Sequence, residues 1–306
     1  MSLLKVLILA IVQGLAELLP VSSSAHVVVA EKIMEKHFNG LSPSDPRMTL
    51  LLVMLHTGTM FAVIVYFWNQ WRRAYFASTD AFQRFAIRAV WATALTGIIG
   101  YPLQKLIAKL AFPNAPKAQI EDLFGRLDLV AYALFVVGLL ILWAGLKERT
   151  EETPTTPNYE RSLTRSGENV TFAQSGWMGA LQGLSLPFRG FSRSGSTISV
   201  GLLAGASRER AERFSFALAV ILTPAVVGRE ALRLLKASHE ATAAGIPLDL
   251  HGSIVGALLG MVFAFVAGLA ALRWLSSWLE HGRWYLFGIY CLVASVVVFY
   301  LHHLGY

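Results

Sequence analysis

The residues able to do chemistry gather in two short segments. Residues 13–26 hold Gln13, Glu17, Ser22, Ser23 and His26; residues 182–197 hold Arg189, Gly190, Ser192, Arg193, Ser194 and Thr197. Gln13 and Glu17 are one helical turn apart and share a helix face. Glu17 stands just before Pro20, in an apolar stretch. A carboxylate at membrane depth costs about 2.5–3.5 kcal/mol, so Glu17 calls for a divalent cation, an arginine or water; the plainer alternative is a side chain snorkelling to an interface. His26, beside hydroxyls, can serve as general base, general acid or nucleophile. In the second segment, arginine lies among serines with Gly190 and Gly195 at hand. Glycine lets backbone approach, hydroxyls and N–H groups donate, and guanidinium grips phosphate with two arms. Ser194–Thr197 also open an apolar helix, whose N-terminus favours an anion. The plainer alternative is a structural Arg193–Glu17 pair, which would still put both charges in one site. A carboxylate for a metal, hydroxyls, a histidine and an arginine cradle together suit phosphoryl transfer. His56, His251, His302 and His303 read as structural or interfacial.

The elements that must position these residues repeat. Both segments open with Gln-Gly-Leu, pass through Leu-Pro and end in a hydroxyl-rich run. A repeated pair of broken hydrophobic segments points to a binding site near the bilayer midplane. Of the 306 residues, 55% are hydrophobic and 15% charged, and mean hydropathy is +0.54. Soluble domains carry roughly 25% charge, so the chain reads as an integral membrane protein. The net charge of +7 comes from short basic loops between apolar spans, which speaks for anionic headgroups and against nucleic acid. The single cysteine, Cys291, sits in an apolar run, which leaves no disulfide framework and no Cys metal site. Residues 3–19 lack a small-residue cleavage site and are interrupted by Gln13 and Glu17, so they read as mature structure rather than a signal peptide.

Six stretches are long and apolar enough to cross a bilayer, at 48–69, 86–104, 127–146, 213–235, 251–275 and 283–303. Residues 3–34 and 172–206 are shorter apolar arms flanking Pro20–Ser24 and Pro187–Ser194. Each reads as a re-entrant helix pair, with two short full spans as the alternative. A re-entrant pair followed by three spans puts the second half in the opposite orientation. The expected fold is thus all-α and integral to the membrane, one domain over 1–306. It consists of two inverted-topology repeats, 1–146 and 172–306, joined by a Thr/Pro-rich linker over 147–171. A slight excess of Lys and Arg on the side of the second re-entrant mouth favours that side as cytoplasmic, so the first mouth faces outward.

At these motifs the chain resembles the bacterial undecaprenyl-pyrophosphate phosphatases, the bacitracin-resistance family. The family's (Glu/Gln)-x-x-x-Glu motif and following Leu-Pro-x-Ser-Ser-x-x-His match Gln13, Glu17, Leu19, Pro20, Ser22, Ser23 and His26. Its Pro-Gly-x-Ser-Arg-Ser-x-x-Thr motif matches Gly190, Ser192, Arg193, Ser194 and Thr197. The resemblance implies hydrolysis of undecaprenyl pyrophosphate, recycling of the lipid carrier for peptidoglycan, bacitracin resistance, and Mg²⁺ or Ca²⁺ dependence. It also implies a periplasm-facing site in the bacterial inner membrane. By the same carry-over, Glu17 with Gln13 holds the metal. Arg193 binds pyrophosphate with Ser22, Ser192, Ser194 and Thr197, and Ser23 and His26 supply nucleophile and base in either assignment, with water as a further candidate nucleophile. Two departures stand out. Gln13 replaces the Glu of many members, which weakens a cation site. Phe188 and Arg189 are inserted between the usual Pro and Gly, making Arg189 either a second phosphate ligand or an outward-facing residue.

Two other readings compete. A polyprenyl-phosphate transporter or flippase would also use inverted repeats, but the Ser/His/Arg/Glu set is richer in reactive groups than a transporter of a neutral solute needs. A purely structural membrane subunit predicts that changes at either segment affect stability alone. The expected partners are a polyprenyl pyrophosphate and membrane lipids, with a homodimer compatible with the sequence and no nucleic acid.

Overall fold

The computed structural model describes residues 3–38, 46–111, 123, 125–151, 169–243, 250–279 and 283–306. These residues form ten helices and no strand: α1 Leu3–Leu18, α2 Ser23–Phe38, α3 Pro46–Ala74, α4 Thr79–Ala111, α5 Leu127–Glu151, α6 Phe172–Ser185, α7 Arg193–Leu203, α8 Arg208–Ala243, α9 Leu250–Leu279 and α10 Trp284–His303. Most of the expected linker (152–168) lies outside the described residues, as does the side chain of His251.

Six helices, α3, α4, α5, α8, α9 and α10, are long and apolar enough to cross a membrane. They are the six expected from hydropathy, but α4 and α8 begin several residues early. Their first turns are polar and still helical, because helix geometry continues through the headgroup layer where water can satisfy side chains. Ser78 starts α4 in this way. Its hydroxyl accepts from Ala81 N at 3.1 Å and its carbonyl accepts from Phe82 N at 3.0 Å.

The other four helices have 16, 16, 14 and 11 residues, or about 17–24 Å at 1.5 Å per residue. Each is shorter than the roughly 30 Å hydrocarbon layer. They pair in sequence order, α1 with α2 and α6 with α7. They also pair across the halves: α1 lies on α9 and α6 lies on α4, while α5 packs on α10 and α3 on α8. Close approach of backbones makes these seams. A Cβ on Gly179 of α6 would stand 2.3 Å from the Ala92 carbonyl oxygen of α4, and one on Gly58 of α3 would stand 2.2 Å from the Met261 carbonyl oxygen of α9. Small residues at such contacts are how helices gain van der Waals packing where lipid supplies no hydrophobic drive.

Two buried apolar clusters hold the frame. Val6, Leu9, Leu51, Leu55 and Ala264 join α1, α3 and α9. A larger cluster takes in Leu18, Val21, Ile141, Ile198, Phe214, Trp284 and Cys291. This second cluster takes in Val21, next to Pro20, and Ile198 and Leu202 of α7. On the outside, Val90, Leu110, Trp143 and Val296 are each more than 60% exposed, the apolar surface expected to face lipid.

Candidate active site

Pro20 cannot continue α1, since it lacks an N–H and its ring clashes with the preceding turn. The chain turns through 19–22, and Ser22 takes a positive φ of 67°, a conformation uncommon outside glycine that persists only where surroundings hold it. Ser22 is held at both ends: its hydroxyl accepts from Ala25 N at 3.4 Å, and its carbonyl accepts from His26 N at 3.4 Å. On the other segment Gly190 supplies a φ of 103°, which glycine adopts without strain. Ser192 then caps α7, its hydroxyl accepting from Gly195 N at 3.1 Å.

These two turns touch. Gly190 N donates to Ser24 Oγ at 3.4 Å, and Ser24 Oγ is 3.2 Å from Ser22 Oγ. A Cβ on Gly195 would meet the Pro20 carbonyl oxygen at 3.0 Å, so the N-terminus of α7 has room for the first turn only because residue 195 has no side chain.

Glu17 is the hub. It is 6% exposed, and both of its oxygens are engaged. Oε1 accepts from Arg193 Nη2 at 2.7 Å and lies 3.3 Å from His56 Nδ1. Oε2 accepts from Gln13 Nε2 at 2.9 Å and from the Ser23 hydroxyl. A buried carboxylate needs this much compensation, since an isolated one is strongly disfavoured. Arg193 spends only one arm on it: Nη1 is buried without a hydrogen-bond partner among the described residues. A buried charged donor without a partner calls for an explanation, and an anion lying against α7 supplies one.

Among the residues expected at the site, the structure brings Gln13, Glu17, Ser23 and Arg193 into direct contact. Ser22 and Gly190 form the turns beside them. Ser192 serves as the α7 cap. Thr197 is fully buried and bonds the Arg193 carbonyl at 2.8 Å and Ser215 Oγ at 2.6 Å, so its hydroxyl shapes the cradle from behind. Ser194 is buried one residue beyond Arg193 in the same first turn. His26 turns away from Ser23: Nδ1 is 2.8 Å from the Ser22 carbonyl and Nε2 is 2.6 Å from the Tyr290 hydroxyl. The group in position to take a proton from Ser23 is therefore Glu17. Arg189 is half-buried and lies within electrostatic reach of Glu31, a carboxylate 1% exposed on α2.

Across residues 6–297 the chain matches the family model described as bacitracin resistance protein BacA. The chain belongs to the BacA family. It is 52% identical over 298 residues to an undecaprenyl-diphosphatase 2 of Acinetobacter baylyi, covering 97% of both chains. It is 32% identical over 305 residues to proteins of the same name from Burkholderia orbicola and Burkholderia ambifaria, covering 97% of this chain and 95% of each relative.

His56 belongs to this BacA site although sequence reasoning set it aside. It sits in the middle of α3, in an apolar span far along the chain from either motif, and nothing in spacing ties it to Glu17. The one available signal was its position beside Thr57-Gly58-Thr59, a polar interruption at span centre. His302 and His303 stay exposed at the end of α10.

Among the described residues, no three His, Cys, Asp or Glu side chains converge as a metal cage. The donors around Glu17 are a carboxylate, an amide and a hydroxyl, the hard-oxygen chemistry of Mg²⁺ and Ca²⁺, with a single charge. One carboxylate is enough for Mg²⁺ where substrate phosphates complete its shell.

Proposed function

We propose that this protein hydrolyses undecaprenyl pyrophosphate to undecaprenyl phosphate and inorganic phosphate, recycling the lipid carrier of cell-wall synthesis and conferring bacitracin resistance. The observation that carries the reading is the shared carboxylate: Glu17 holds one arm of Arg193, leaving Nη1 buried and without a partner among the described residues, and accepts the Ser23 hydroxyl on its other oxygen. An anion-binding arm and an activated hydroxyl thus stand on one group. The names of the relatives agree with this chemistry.

In the proposed reaction, Arg193 Nη1 and the N-terminus of α7 take the terminal phosphate, where charge builds in the transition state. Ser23 Oγ attacks the terminal phosphorus while Glu17 accepts its proton. The anhydride bond to the bridging oxygen breaks, and undecaprenyl phosphate leaves. Water then cleaves the phosphoserine and releases inorganic phosphate. His56 lies against the same Glu17 oxygen as Arg193 and steadies the carboxylate. Mg²⁺ or Ca²⁺, held by Glu17 with Gln13 and the substrate, would neutralise phosphate oxygens.

The proposed setting is the bacterial inner membrane, with α1–α2 and α6–α7 as re-entrant pairs of two inverted repeats and the site open to the periplasm. The shortness of these four helices, the proline at each break and the matched seams of α1 on α9 and α6 on α4 support that arrangement. The test is phosphate release from the lipid by purified protein in detergent with a divalent cation. Ser23→Ala should abolish release. Translocation of polyprenyl phosphate by the wild-type protein in vesicles, without any phosphate release, would replace this reading with the transporter.

A further inference from the structure

The Ser22 carbonyl can only accept, so His26 Nδ1, at 2.8 Å, carries the proton. In the neutral ring Nε2 is then a bare acceptor, and the Tyr290 hydroxyl, at 2.6 Å, donates to it. The two rings also stack, 5.7 Å between centroids and 15° apart. Tyr290 lies on α10, in the other half of the chain from His26. The same helix touches the same turn a second time, where Cys291 Sγ lies 3.7 Å from the Pro20 carbonyl. The strained residue, Ser22, sits between these two attachments and directly precedes Ser23, whose hydroxyl must stay on Glu17.

We propose that Tyr290 is a positioning residue: by donating to His26 Nε2 it fixes the Nδ1–H tautomer, which locks the Ser22 carbonyl and so aims Ser23 Oγ at Glu17. This rests on the phosphatase reading. It assigns His26 a bracing role and leaves proton transfer to Glu17. It also adds the Tyr290 hydroxyl to the contacts that tie the first catalytic turn to the second half of the chain.

Tyr290→Phe keeps the ring and removes the donor. The expected result is a fall in kcat of about tenfold, close to 1.4 kcal/mol, with KM within twofold of wild type and an unchanged thermal midpoint. Nitrogen NMR of histidine-labelled protein in micelles should show His26 as a single Nδ1–H tautomer in the wild type and a mixture in the variant. Wild-type kcat in Tyr290→Phe, or His26 protonated on Nε2 in the wild type, would overturn the proposal. The wild-type spectrum decides the tautomer whether or not the variant folds. If wild-type protein releases no phosphate, the phosphatase reading fails while the His26 spectrum still tests the brace.

Discussion

Arg193 is the residue on which folding and chemistry can be separated. Its Nη2 arm bonds Glu17 at 2.7 Å, while its Nη1 arm is buried and has no partner among the described residues. Arg193→Lys keeps a positive charge that can satisfy Glu17, but an ammonium is a point donor and cannot hold Glu17 and a phosphate in the same fork. The loss is then one hydrogen bond to a charged group, about 1.5–3 kcal/mol. At about 1.4 kcal/mol per factor of ten, kcat/KM should fall by roughly 10- to 150-fold with stability nearly unchanged. Arg193→Ala removes both arms. It leaves Glu17, 6% exposed, facing Gln13, Ser23 and His56 alone, and breaking a buried pair costs about 3–5 kcal/mol. Activity should fall by about 10³- to 10⁵-fold, the scale of an arginine that stabilises phosphoryl-transfer charge. The assays are phosphate release over a range of lipid concentrations and thermal unfolding in the same detergent. Wild-type kcat/KM in Arg193→Lys would refute the two-arm argument. Wild-type stability in Arg193→Ala would refute the claim that Glu17 depends on the guanidinium.

Three further outcomes follow from the same geometry. Glu17→Gln preserves shape but cannot accept the Ser23 proton, and kcat should drop by about 10²- to 10⁴-fold, measured as phosphate release, together with loss of the response to added divalent cation. His56→Phe removes the imidazole 3.3 Å from Glu17 while keeping a ring. A supporting group of this kind is worth about 10- to 100-fold, to be read in kcat, and an unchanged kcat would remove His56 from the site. Gly179→Val places a Cβ 2.3 Å from the Ala92 carbonyl oxygen. Overpacking of this sort costs about 1–3 kcal/mol and should appear as a lowered thermal midpoint.

Local composition carried much of the architecture. Spans α3, α4, α5, α8, α9 and α10 were legible because a bilayer-length apolar run is a property of neighbouring residues alone. The two breaks were legible because Pro20 and Pro187 each stand next to a hydroxyl-rich run rather than within an apolar one; a proline alone does not end a helix here, since Pro102 lies inside α4 and Pro224 inside α8. Glu17, Ser23 and Arg193 were legible because buried charge and hydroxyls in an apolar stretch demand a partner. Helix ends were less so, as with Thr79 and Arg208, since a polar first turn looks like loop until the helix is seen to continue.

The sequence by itself determined which residues are too costly to bury alone, which apolar runs are long enough to span, and that a Gln-Gly-Leu segment leading through Leu-Pro into hydroxyls occurs twice. Only the tertiary structure decided who meets whom. Depth and rotation of each helix are set by seams such as Gly179 on Ala92 and Gly58 on Met261, and no spacing along the chain encodes them. Those seams put His56 rather than His26 beside Glu17, turn His26 to Tyr290, and set Thr197 behind the cradle against Ser215. A buried charge makes a partner obligatory; packing between distant helices selects that partner.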